Sequence, residues 1–216
     1  MITIVLVEPH ELVRCALKAL IDATGDLRVV GECAEAEAAV LLTRELRPQV
    51  VLLGVNTSGI GPLEATRRLG RLSPQPRVLA FGGPLEGPYP GCLLEVGAAG
   101  YLTKESDPDE LVGAIRRVHR GEPYVSVGVA QRLVLGRLDP TRAPLGRLTP
   151  RELAVMVLVS QGRNRSEISS ALCVSPKTVS TYRTRVLRKL GATSDVELTH
   201  LSLRHGLIES ATLEAS

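Results

Sequence analysis

Short apolar runs alternate with amphipathic stretches through the first half of this chain, and that alternation leaves few folds open. The runs cover residues 2–7, 27–31, 50–53, 78–81 and 100–102. Helical patterns fall near 12–21, 36–46, 63–72, 92–96 and 111–119; in the first, Leu12, Leu17, Leu20 and Ile21 approximate helical spacing. Runs such as Ile4-Val5-Leu6-Val7 and Val50-Val51-Leu52-Leu53 show no polar alternation, so they suit strands covered on both faces. Such strands joined by helices form right-handed crossovers and a parallel sheet. Asp107-Pro108-Asp109-Glu110 supplies a helix start, with Asp as cap, Pro in the first turn and Glu three residues after the cap. The expected architecture is α/β, a doubly wound sheet of five parallel strands. Ligands of such sheets bind beyond the carboxyl ends of the strands, where Glu8, Pro9, Gly54, Gly82, Gly83 and Lys104 fall.

The second half changes character. Residues 127–138 suit a short helix, and 139–146, rich in Pro and Gly, read as a linker. Thr149-Pro150-Arg151-Glu152 is a capping box opening an apolar helix to about Ser160. The break 161–164, a short helix 166–172, a helix from Pro176 to Leu190 stopped by Gly191, and a last helix 194–205 follow. With 216 residues there is room for two modest domains. The expected division is 1–122, a linker with a short helix at 123–147, and an all-α domain of four helices at 148–216.

No apolar run approaches the roughly 18 residues of a membrane span. The opening residues lack a basic flank and a cleavage site, so they read as a strand and not a signal peptide. The expected location is cytoplasmic. Cys15, Cys33, Cys92 and Cys173 form no CxxC pair, and each lies in an apolar pattern. Reduced, buried thiols are expected, with no disulfide or metal site.

The net charge of +3 says less than its distribution. Between Ser175 and Leu190 lie Lys177, Arg183, Arg185, Arg188 and Lys189 with no acidic residue among them. On that helix Val179, Val186 and Leu190 share one face, with Tyr182 beside them. The opposite side presents Lys177, Ser180, Thr181, Thr184 and Arg188, flanked by Arg183 and Arg185, with Thr178 near the start. Basic side chains can grip phosphates while short hydroxyl residues approach base edges. Taken alone, the pattern fits a solvated basic face on a helical bundle equally well.

Neighbouring words separate the two. Leu148-Thr149-Pro150-Arg151-Glu152, Arg165-Ser166-Glu167-Ile168, Val174-Ser175-Pro176-Lys177-Thr178-Val179 and Arg188-Lys189-Leu190-Gly191 stand in the order of a LuxR-type helix-turn-helix. Further words are Gly59-Ile60-Gly61, Leu63-Glu64-Ala65-Thr66-Arg67, Gly97-Ala98-Ala99-Gly100-Tyr101-Leu102-Thr103-Lys104, Thr193-Ser194-Asp195-Val196-Glu197-Leu198-Thr199 and Arg204-His205-Gly206. Together they resemble the NarL/FixJ response regulators, more narrowly the GacA/UvrY group, over nearly the whole chain. The resemblance implies a CheY-like (flavodoxin-like) receiver followed by a tetrahelical helix-turn-helix domain. It also implies a recognition helix at Pro176–Leu190, base contacts at the positions of Ser180, Thr181 and Thr184, and a dimer surface on the last helix.

Against that pattern the receiver is degenerate. The phosphate-accepting aspartate is replaced by Gly54, which has no side chain to phosphorylate. The acidic pair after the first strand becomes Glu8-Pro9, and the phosphate-binding Thr or Ser becomes Gly82, while Lys104 survives. A working receiver needs carboxylates for Mg²⁺ and an aspartate nucleophile. Glu8 with Lys104 reads as a structural ion pair, and His10 as a helix-start or surface residue. Nothing nearby would activate Thr57 or Ser58 as substitute acceptors.

The expected function is a sequence-specific transcription regulator, atypical in acting without aspartyl phosphorylation. It would bind double-stranded DNA as a homodimer, with no cofactor, metal or catalytic residue. The alternative is an interaction protein that heterodimerises with an intact regulator and retunes it. An enzymatic role finds no Walker loop, dinucleotide fingerprint, GxSxG elbow or zinc spacing.

Overall fold

The computed structural model describes residues 1–83, 89–138 and 144–208. Strand β1 (Ile2–Val7) pairs in parallel with β2 (Leu27–Cys33) on one side and β3 (Val50–Gly54) on the other. With β4 (Arg77–Gly82), β5 (Gly100–Thr103) and β6 (Tyr124–Val125) the order is β2-β1-β3-β4-β5-β6. Among the described residues the sheet therefore has six strands, not the expected five. Tyr124 and Val125 pair with Gly100 and Tyr101, and two residues are too short a run to show any period. The open edge of β5, not local sequence, makes them a strand.

Residues of alternating parity line the two faces, as the strand repeat demands. Ile4, Leu6, Val50, Leu52, Leu79 and Phe81 join Ile21 of α1 (Glu11–Asp22) and Leu111, Ile115 and Val118 of α5 (Pro108–His119) in one core. Val5, Val7, Val51, Leu53, Ala80 and Tyr101 are buried on the other face. Helix α2 (Ala36–Leu46) packs on β1 and β2 and touches α3 (Gly61–Leu69). α4 spans Tyr89–Glu95. Asp107 caps α5 by accepting from Glu110 N at 2.7 Å. The Glu110 carboxylate accepts from Tyr124 Oη at 2.6 Å and so pins β6 to α5. The strand order reverses between β1 and β3, which places Glu8 and Gly54 at the switch point where such folds carry ligands.

The chain divides into two compact units, Met1–Pro84 with Leu93–Ala130 and Leu85–Cys92 with Gln131–Ser216. α6 spans Val127–Leu138, and Pro144–Arg147 forms a 3₁₀ turn. Of the expected linker 139–146, residues 139–143 lie outside the described residues.

In the second unit α7 (Pro150–Ser160) is buried from Glu152 through Leu158. A helix apolar all round belongs at the centre of its bundle. α9 (Pro176–Leu190) and α10 (Asp195–Arg204) pack on it, and α8 (Arg165–Leu172) packs on α9. The capping box of α7 is formed: Glu152 N donates to Thr149 Oγ1 at 3.3 Å, and Thr149 N donates to Glu152 Oε2 at 2.8 Å. Asn164 closes a second box with Glu167 at the start of α8, one residue earlier than the pattern suggested. Ser175 caps α9, and Gly191 ends it with φ of 66°, where a side chain would be strained.

The cysteine expectation holds only in part. Cys92 alone is buried; Cys33 is half-buried, and Cys15 and Cys173 are exposed. An apolar pattern does not say which face of a helix the fold covers. Burial still pushes the Cys33 thiol up to about 11, which keeps it protonated at neutral pH.

Candidate functional site

The structure brings Glu8, Gly54 and Lys104 together at the carboxyl edge of the sheet. Glu8 is completely buried. Its Oε1 lies 2.6 Å from His10 Nδ1 and accepts from His10 N at 3.1 Å. Its Oε2 lies 3.1 Å from Lys104 Nζ, an ion-pair distance without hydrogen-bond alignment. Arg14 Nη1 donates to the Glu8 carbonyl at 2.8 Å, so three basic side chains surround one acidic residue. Lys104 also stands over the Phe81 ring, 5.7 Å from its centroid. His10 is thus a partner of Glu8 and not merely a helix-start residue, a link the two-residue spacing did not reveal.

The glycines are where the pocket departs from a phosphate site. A Cβ at Gly54 would fall 2.9 Å from the Val7 carbonyl oxygen and 3.2 Å from Glu8 Oε2. A Cβ at Gly82 would overlap Val55 Cγ2 and lie 2.8 Å from Tyr101 Oη. Val55 and Tyr101 therefore occupy the volume that a side chain at Gly82 would need, and the Val7 carbonyl, Glu8 and Phe81 crowd the one at Gly54. Tyr101 is fully buried, its Oη donating to Gly83 O at 3.4 Å, and burial pushes its phenol well above the usual range. Neither Val55 nor Tyr101 was singled out by sequence. The only signal available was the pairing of a bulky residue with a glycine at adjoining strand ends.

These residues do not fit a divalent cation. Glu8 is the one carboxylate among the five predicted pocket positions, and both its oxygens face basic side chains. Pro9 and Gly54 bring no side-chain oxygen. Among the described residues no group of three or more His, Cys, Asp or Glu side chains converges to hold a metal.

The second site lies on α9. Val179 and Val186 are buried and anchor it, Leu190 and Tyr182 are half-buried, and Lys177, Thr181, Thr184, Arg185 and Arg188 are exposed. At positions 177, 181, 184 and 188 the spacing keeps the exposed set on one stripe. Ser180 and Thr178 are half-buried at its margin, and Thr178 Oγ1 lies 2.8 Å from the capping Ser175 Oγ.

Two basic residues of the block are engaged elsewhere. Arg183 Nε donates to Asp195 Oδ1 at 2.7 Å, tying α9 to α10. Lys189 Nζ lies 2.6 Å from Glu152 Oε2 and donates to Arg147 O at 2.9 Å, tying α9 to α7 and to the 3₁₀ turn. Burial pushes the Glu152 carboxyl up, but hydrogen bonds from Lys189 and Thr149 outweigh it and hold the group below the usual carboxylate range. Sequence placed Arg183 on the flank of the basic face, and there it is paired with Asp195 within the unit. Lys177, Arg185 and Arg188 have no ion-pair partner among the described residues.

Comparison with known proteins places both units. Residues 4–116 match the response regulator receiver domain, and residues 146–202 match bacterial regulatory proteins of the luxR family. The chain is 40% identical over 217 residues to the response regulator UvrY of Escherichia coli (strain K12), covering 100% of both chains. It is 41% identical over 214 residues to the response regulator GacA of Pseudomonas aeruginosa, covering 98% of this chain and 100% of that one. Among solved structures, a two-component response regulator of the LuxR family from Aurantimonas sp. SI85-9A1 is similar at 35% identity, with a TM-score of 0.60, 64% of this chain and 99% of that one. RcsB from Salmonella enterica serovar Typhimurium shares the fold at a TM-score of 0.73 and 19% identity, covering 92% of this chain and 96% of that one.

Proposed function

The chain belongs to the response regulators that join a receiver to a luxR-family domain, and from that premise we propose that it is a sequence-specific DNA-binding transcription regulator whose receiver acts without an aspartyl phosphate. Residues 1–122 are the receiver in this proposal, 123–147 the linker and 148–216 the DNA-binding domain. α9 is the reading element. Lys177, Arg185 and Arg188 meet the phosphate backbone, and Thr178, Ser180, Thr181 and Thr184 approach the bases. Arg183 holds α9 at its angle through Asp195.

One observation carries the receiver half of the proposal. Position 54 lacks an acceptor, and a side chain placed there would run into Val7 O, while Val55 and Tyr101 stand where a residue larger than glycine at 82 would sit. Gly82 thus faces hydrocarbon and a phenol, and Gly54 faces a backbone carbonyl, a carboxylate and an aromatic ring, which supports this reading. Whatever input shifts such a module must bind its conformations unequally, and phosphate has no foothold from which to do so. No catalytic step is assigned.

The protein would act as a homodimer on an inverted repeat, because paired helix-turn-helix domains read half-sites about one turn of DNA apart. A gel shift with the purified protein tests the whole reading. We expect salt-sensitive, sequence-selective binding that acetyl phosphate with Mg²⁺ leaves unchanged, and no phosphoryl mass gain. A stoichiometric mass gain within residues 1–120 overturns phosphate independence. Binding only in mixture with a second regulator replaces the homodimer with a heterodimer.

A further inference from the structure

Three hydroxyl protons along the middle of α9 are already committed. Ser180 Oγ donates to Pro176 O at 3.1 Å, Thr181 Oγ1 to Lys177 O at 3.0 Å and Thr184 Oγ1 to Ser180 O at 3.0 Å. A hydroxyl has one proton and two acceptor sites. With each proton turned back into the helix, what remains for an outside partner is oxygen lone pairs and, on the threonines, γ-methyl groups. Thr181 and Thr184 are exposed, so this surface is open. The donors on the same stripe stand at its ends: Lys177 at the start, Arg185 and Arg188 toward the finish. Along its length the face runs donor, acceptor with methyl, donor.

The major groove distinguishes these chemistries. Adenine N6 and cytosine N4 donate, thymine shows a methyl group beside an acceptor, and guanine offers two acceptors with no donor. Acceptor oxygens facing guanine would meet lone pair with lone pair. An A·T pair supplies both features that the middle of α9 can use, an amino donor for oxygen and a methyl for methyl. Thr181 and Thr184 are three residues apart, about 4.5 Å along the axis, close to the roughly 3.4 Å step between base pairs.

Resting on the assignment of α9 as the reading element, we propose that the acceptor-and-methyl face of Ser180, Thr181 and Thr184 reads adjacent A·T pairs through the adenine amino group and the thymine methyl. Guanine is excluded beneath these residues, while the lysine and arginine ends hold the phosphate backbone on either side. Discrimination thus comes from which way three hydroxyl protons point, a property of the folded helix and not of residue type.

The test uses the full-length protein and an operator recovered from random DNA by repeated selection. Base analogues are then placed one at a time in a half-site. Replacing a central adenine with purine, which lacks the N6 amino group, should weaken binding about three- to tenfold, the range of one hydrogen bond. Uracil for a central thymine, which removes only the methyl, should weaken it up to about fourfold. Thr184→Val keeps a branched side chain and loses the acceptor, so it should abolish the purine effect at one position and retain the uracil effect. Thr184→Ser should do the reverse. A selected centre rich in G·C, or one indifferent to purine substitution but sensitive to 7-deazaguanine, overturns the inference while leaving DNA binding intact. Recovery of no preferred sequence overturns the DNA-binding proposal itself, and this inference with it.

Discussion

An aspartate at position 54 would meet backbone before it met any phosphoryl donor. Its Cβ would lie 2.9 Å from the Val7 carbonyl oxygen and 3.2 Å from Glu8 Oε2. Val7 sits in a strand paired on both sides, so its carbonyl cannot swing away, and overpacking of this kind costs about 1–3 kcal/mol. Restricting the unfolded chain by removing glycine offsets about 0.4–1 kcal/mol of that. The steric net is a loss of about 1–2 kcal/mol, and Gly54→Ala should show it alone. The new carboxylate adds charge. At about 4 Å from Glu8, with an effective dielectric near 20, the repulsion is about 4 kcal/mol. Lys104, 3.1 Å from the same Glu8 oxygen, cancels more than half, leaving about 1–2 kcal/mol. Gly54→Asp is therefore expected to lose about 2–4 kcal/mol near neutral pH.

Repulsion raises the folded-state pKa of the introduced carboxyl above its unfolded value of about 3.9. Its cost is then present in full above the folded pKa and vanishes below the unfolded one, so the gap between the Asp and Ala variants should close toward about pH 4. Urea unfolding followed by hydrogen exchange of β1 and β3 amides isolates the first unit from the second. A midpoint shift of about 1–2 M is expected at a typical slope. An Ala variant as stable as the parent, or an Asp–Ala gap unchanged on acidification, would refute the reasoning. Phosphoryl uptake by Gly54→Asp would refute it more directly.

Three further outcomes are expected. Gly82→Thr must displace Val55 or Tyr101 and should lose about 1–3 kcal/mol of stability through overpacking; a variant as stable as the parent in urea unfolding counts against the crowding at Gly82. Glu152→Gln should lose about 1–3 kcal/mol at neutral pH, because Lys189 loses its carboxylate. The depressed folded pKa of Glu152 means that its contribution is present above the unfolded value of about 4.3 and lost as pH falls through the folded one, so acid melts of parent and variant should converge. Arg185→Ala should lower the slope of log affinity against log salt by about 0.9. Arg183→Ala, which breaks an ion pair within the unit, should leave that slope nearly unchanged and cost about 0.2–1 kcal/mol of stability; equal slope losses would move Arg183 to the phosphate backbone.

Local chemistry was legible in the sequence wherever it acts over a few residues. The capping words Thr149-Pro150-Arg151-Glu152 and Ser175-Pro176 began the helices they announced, and Gly191 ended α9 in the left-handed conformation expected of it. Uninterrupted apolar runs identified strands buried on both faces, and the absence of a side chain at Gly54 needed no structure to be chemically decisive. Packing partners distant in the chain decided the rest. β6 exists because β5 has a free edge, and Arg183 gains an ion-pair partner because α10 brings Asp195 to it. Cys15 and Cys173 are exposed because apolar neighbours in sequence do not specify which side the fold covers. Whether Gly54 and Gly82 leave a hole or a filled site depended on where Val55, Tyr101 and the Val7 carbonyl come to rest. Sequence carries what short-range sterics and hydrogen bonding dictate; occupancy of space is settled only when distant segments meet.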